Sequence, residues 1–153
     1  MGLDMYLTAK LHTCKPFGEN EKEKPIRIAV KKALPEIYST GNIETIEISF
    51  EAAYWRKDNQ IHHWFVENCQ DGEDECKPHW VSREQLQKLL ELCKEVMANK
   101  DKASELLPVQ QGFFFGSYEY DEWYFEGIQS TIEQIEKALK LPDEWDFEYC
   151  SSW

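Results

Sequence analysis

From Leu3 to His12 the chain alternates without a break: Leu3, Met5, Leu7, Ala9 and Leu11 are apolar, and Asp4, Tyr6, Thr8, Lys10 and His12 stand between them. A period of two places the first set on one face of an extended strand and the second on the other. A strand with one apolar face needs a second layer to cover it, so this stretch commits the chain to a sheet packed against other elements. Ile46, Ile48 and Phe50 alternate with Glu47, Ser49 and Glu51 in the same way and predict a second strand running towards Tyr54. Trp145, Phe147 and Tyr149 predict a closing strand that pairs near the first.

Between the strands the period changes. Apolar positions recur at helical spacing from about Trp55 to Asn68, which puts Arg56, Lys57 and Asn59 at or near a helix start. Ser82 followed by Gln85 fits a capping box, and Leu86, Leu89, Leu90, Cys93, Val96 and Met97 carry a helix to about Asn99. Pro108 closes a short helical piece at Ser104 to Leu107, and a last helix spans Asp121 to Leu139, capped by Asp121 or Ser117 and ended by Pro142. Residues 14–25 read as an exposed loop, Ile26 to Leu34 as an element of undetermined type ended by Pro35, and Gln111 to Ser117 as a short buried strand or an aromatic turn. With 153 residues and no internal repeat, the prediction is one α+β domain over residues 1–153. Its small, mainly antiparallel sheet of three or four strands packs with about three helices. At this size roughly 70% of the unfolded chain's surface is buried on folding, so the core needs neither metal nor disulfide.

Composition removes several functions. The formal net charge of −12 disfavours direct nucleic-acid binding and anionic membranes, which need clustered Lys and Arg. No apolar run is long enough to span a bilayer and the first residues lack a signal-peptide pattern, so a cytoplasmic location is expected. Five unpaired-looking cysteines read as free thiols. Cys69, Cys76 and His79 lack a zinc-site spacing, and the acidic run Asp71 to Glu75 beside Cys76 disfavours an activated thiolate. No metal or cofactor is therefore expected. That acidic run also lacks the ligand spacing of an EF-hand and reads as a solvated turn.

Two constellations carry chemistry. Tyr54, Trp55, Arg56, Lys57, Asn59 and His62 gather two cations, an amide, an imidazole and aromatic faces at a strand-to-helix junction. This is what a phosphorylated, nucleotide-like ligand requires: forked donors, charge and a ring to stack on. The competing reading pairs Arg56 and Lys57 with Glu51 or the acidic loop and puts Trp55 in the core. Phe113 to Tyr124 crowd seven aromatic residues around Ser117 and Asp121, as core packing or as a stacking wall in which Ser117, Tyr120 and Trp123 face a ligand. No motif of a known enzyme class is present. A pair such as His62 with Asp121 or Asp74 can form only in space, so no catalytic residue is assigned and the reading leans away from an enzyme.

The opening Met-Gly-Leu-Asp-Met-Tyr-Leu, the block Tyr54 to Val66, Gln70 to Cys76, Gly112 to Ser117, Tyr120 to Tyr124 and the terminal Ser151-Ser-Trp153 resemble a family of small bacteriophage and prophage proteins. The resemblance implies a phage setting, action in the cytoplasm of an infected bacterial host, and a functional role for the junction residues. The leading expectation is a small-molecule binder that sequesters a nucleotide-derived immune signal, with room for a homo-oligomer. The alternatives are an acidic inhibitor that mimics DNA against a host defence nuclease or polymerase, and a small hydrolase using His62 with a carboxylate.

Overall fold

In the computed structural model, residues 2–14, 21, 23–40, 43–112 and 115–153 are described, apart from the side chains of Cys14, Tyr38 and Thr40. Four strands, β1 (Asp4–Cys14), β2 (Thr45–Arg56), β3 (His79–Val81) and β4 (Asp146–Ser152), form one sheet in the order β2-β1-β4-β3. The helices described are α1 (Lys24–Ala33), α2 (Pro35–Thr40), α3 (Asn59–Cys69), α4 (Arg83–Ala98), α5 (Ala103–Leu106) and α6 (Glu122–Ala138). The chain divides into two compact units, Met1–Ala9 with Phe50–Trp153 and, separately, Lys10–Ser49. The α+β class and the mainly antiparallel sheet agree with the sequence pattern.

In the larger unit Leu3, Met5, Leu7 and Ala9 are fully buried, as their alternation demands. They share a core with Ile61 and Phe65 of α3, Leu86 and Leu89 of α4, and Ile128 and Ile135 of α6. β4 lies beside β1 as expected, and it pairs on its other side with β3, antiparallel, with His79 opposite Tyr149 and Val81 opposite Phe147. At three residues, β3 is too short for a period of two to show in the sequence. The Ser82 capping box is complete: the Gln85 N–H donates to Ser82 Oγ at 3.0 Å, and the Ser82 N–H donates to Gln85 Oε1 at 2.8 Å. Asp121, not Ser117, caps α6 by accepting from the Tyr124 N–H at 3.1 Å.

One boundary moves. Trp55 and Arg56 end β2 rather than begin a helix, because Ala53 and Trp55 are buried while Tyr54 and Arg56 are exposed, which is still a period of two. The less exposed parity passes from even to odd residues between Ala52 and Ala53, and Phe50, in the even set with the half-buried Ile46, Ile48 and Ala52, is exposed, contrary to its alternation with Ile46 and Ile48.

In the smaller unit the undetermined element is helix α1, entered through Pro25 in its first turn. Lys24 and Pro25 therefore belong to a helix and not to the expected loop 14–25, of which residues 15–20 and 22 lie outside the described residues. Arg27 is buried and its Nη2 donates to the Glu44 carbonyl at 2.8 Å, while His12 pairs with Glu47 at 3.4 Å. Among the described residues no helix is long and apolar enough to cross a membrane.

Candidate functional site

Within the larger unit the strand-to-helix junction is a tight turn. The Lys57 N–H donates to the Leu3 carbonyl at 2.8 Å, and Lys57 itself takes φ +62°, a left-handed conformation that turns the chain out of β2. Asp58 then starts α3, its carbonyl accepting from the Ile61 and His62 N–H groups at 3.0 Å. A second segment, residues 110–112 and 115–121, is held against this turn by one buried side chain. Asn59 Nδ2 donates to the carbonyls of Phe115 (3.2 Å) and Ser117 (2.8 Å), and its Oδ1 accepts from the Gln110 N–H at 2.9 Å. Gly116 completes the contact: its φ is +102°, and a Cβ there would stand 2.9 Å from the Lys57 carbonyl oxygen.

The turn, this segment and the first turns of α6 enclose a cleft of about 470 Å³, within the range of small-molecule sites. Arg56, Lys57 and Ser117 line it together with Trp123, a residue 76% exposed. Asp58 and Gln60 line it from the head of α3, and Glu119, Asp121 and Glu126 bring further carboxylates. Two cations thus face four carboxylates, a mixed surface where the sequence led to the expectation of a cationic one.

Asp58 is the unusual group. A Cβ on Gly127 of α6 would lie 1.8 Å from its Oδ1, so α6 approaches the carboxyl as closely as a glycine permits. Burial pushes the Asp58 carboxyl up to about 6, although the Gln60 amide, 3.4 Å from Oδ1, and the Arg56 backbone N–H both favour the ionised form.

The remaining predicted site residues go elsewhere. Trp55 is 2% exposed, packs on Phe65 and donates its indole N–H to Thr131 Oγ1 at 2.9 Å. Tyr54 is on the opposite face of β2, with its hydroxyl on the Asp4 carboxylate, and that hydrogen bond raises its pKa. Asp4 also faces Arg56 Nε at 3.8 Å. Tyr120 lines a neighbouring groove with Phe125 and Lys100, and its hydroxyl accepts from the Val109 N–H at 3.2 Å. Of Phe113 to Phe115, only Phe115 is among the described residues, where it is buried in irregular backbone rather than in a strand.

His62 is wholly buried. Its Nε2 is 3.0 Å from Asp74 Oδ2 and its Nδ1 is 2.7 Å from the Tyr149 hydroxyl. A carboxylate only accepts, so Nε2–H donates to Asp74 and Nδ1 accepts from Tyr149 in the neutral ring. Burial lowers the His62 pKa against the opposing pull of Asp74, and burial holds the Tyr149 phenol well above its usual range. The acidic run 71–75 is therefore anchored, since Asp74 also accepts from the Trp153 indole N–H at 3.2 Å. Burial pushes the Cys69 and Cys93 thiols up to about 12, which leaves them unreactive near neutral pH.

No family model matches the chain. Comparison with curated proteins and with solved structures likewise finds no match. The site thus stands on its own geometry. Sequence reasoning gave no role to Asp58, Gln60, Glu126 or Gly127. Gly127 alone carried a signal, since a lone glycine inside a helical pattern costs about 1 kcal/mol against alanine and marks a close approach.

Proposed function

We infer that the protein binds a small nucleotide-like ligand in this cleft, with the anionic group on Arg56 and Lys57 and the base against Trp123. The observation that carries the reading is that both cations open onto the same 470 Å³ cleft as Trp123, a residue left 76% exposed. A phosphate calls for the first and a base for the second. The carboxylates of Glu119 and Glu126 suit the hydroxyls of a sugar, which donate to them. Asn59 acts behind the cleft by holding the Ser117 segment in place. Taken with the resemblance to phage proteins, the ligand is a nucleotide-derived immune signal of a bacterial host, and binding removes it from circulation.

The test is calorimetry and thermal shift with mononucleotides, cyclic dinucleotides and ADP-ribose derivatives, on the wild type and on Arg56→Ala and Lys57→Ala. A ligand at about 100 times its Kd adds roughly 2.7 kcal/mol, and either substitution should abolish that gain. No shift across the panel, or unchanged affinity in both variants, overturns the reading. Chromatography of the recovered ligand separates sequestration, which leaves it intact, from hydrolysis.

One observation favours a second reading. Carboxylates outnumber cations in the cleft and beside the exposed Trp123, which suits a basic, DNA-binding partner. That reading expects salt-sensitive association with a nuclease or polymerase component and no nucleotide binding.

A further inference from the structure

Given a nucleotide in the cleft, as inferred above, we propose that Asp58 reads its base and that the base offers two adjacent N–H donors, as the ring N–H and exocyclic amine of guanine do. Asp58 lines the cleft from the head of α3, and its side chain has no cationic partner among the described residues. Arg56 Nε instead faces the Asp4 carboxylate at 3.8 Å. A carboxylate accepts about four hydrogen bonds. Among the described residues the Gln60 amide at 3.4 Å and the Arg56 backbone N–H are its donors, which leaves acceptor capacity at the edge of a cavity.

Position matters as much as capacity. Gly127 meets the carboxyl so closely that no side-chain carbon fits between α6 and Oδ1, so the acceptor is held in place before a ligand arrives. A fixed acceptor discriminates by what faces it. Two parallel N–H donors satisfy it, whereas the ring nitrogen that adenine presents beside its amine sets lone pair against lone pair. A guanidinium or amidinium would also donate twice, but the phosphate assigned to Arg56 and Lys57 in the same cleft ties the donor pair to a base rather than to a free cation. Trp123 supplies the face on which such a base stacks.

The experiment is calorimetry at pH 8 with GMP, IMP, AMP and XMP on the wild type and on Asp58→Asn. GMP should bind about 10- to 100-fold more tightly than AMP, the discrimination of one good paired contact, with IMP between them because it lacks the exocyclic amine. Asp58→Asn should bring GMP to the level of AMP and favour XMP, whose ring N–H and adjacent carbonyl match an amide. Equal affinity for GMP and AMP in the wild type overturns the assignment to Asp58 while leaving nucleotide binding intact, as does a guanine preference that persists in Asp58→Asn. Failure of all four nucleotides to bind overturns both. The wild-type ratio decides the matter alone if Asp58→Asn does not fold.

Discussion

Asp58 and His62 stand one turn apart at the head of α3, and their polar atoms meet opposite conditions. His62 has both ring nitrogens in hydrogen bonds of 2.7 and 3.0 Å and no exposed surface. Asp58 is mostly buried at the edge of a cleft with a long bond to one amide. A buried polar network that is fully satisfied holds a fold rigid, whereas a buried carboxyl left short of partners costs stability. The difference separates the part of the junction that is closed scaffold from the part that opens onto the cleft.

Asn59 sits between the two, and its removal should break the comparison most severely. Asn59→Ala strips partners from the Gln110 N–H and the Phe115 and Ser117 carbonyls, so about 3 kcal/mol should be lost, roughly 10 °C in Tm. Amide exchange at Gln110 should accelerate well beyond that in α4. A Tm within about 2 °C of wild type would show that Gln110, Phe115 and Ser117 hold their place without it.

pH sharpens the contrast, because the two groups act with opposite sign. The folded carboxyl of Asp58 titrates at about 6 against about 3.8 when unfolded, so its favourable contribution is complete below 3.8 and lost as pH rises through 6. The folded His62 pKa is depressed, so its contribution is complete above the unfolded value of 6.5 and lost as pH falls below it. Asp58→Asn should therefore raise stability at pH 8 by on the order of 2 kcal/mol, with the gain shrinking between pH 6 and 4. The acid loss due to His62 should persist in the variant. Thermal melts from pH 4 to 8 on both proteins measure this, and a gain independent of pH would mean that the Asp58 carboxyl titrates alike in the folded and unfolded chain.

The smallest effect belongs to the cations. Arg56 and Lys57 are exposed, so Arg56→Ala and Lys57→Ala should each move Tm by no more than about 2 °C while removing ligand binding. A large loss of stability in either would assign that residue to the scaffold, together with Asn59 and His62.

Strand β1, the capped helices α4 and α6 and the closing strand β4 were all legible in the sequence, because each rests on a local rule: alternation, a capping box, an N-cap aspartate or a helical stripe. The block from Tyr54 to His62 was legible as unusual, but not in how its members divide. Periodicity places Trp55 inside and Arg56 outside only once β2 is known to run through Arg56, and that is settled by the Lys57 bond to Leu3, more than fifty residues away in the chain. Likewise Asn59, His62 and Asp58 carry side chains common in exposed positions, and nothing local says that a returning loop, a tyrosine of β4 and a glycine of α6 will meet them. What the sequence determined by itself was the set of elements and the residue types brought to the junction, since propensity, capping and period act over a few residues. Which of those residues close into the core and which open onto a cleft was decided by tertiary structure alone, because hydrogen-bond partners and desolvation depend on what the rest of the chain brings within 3 Å.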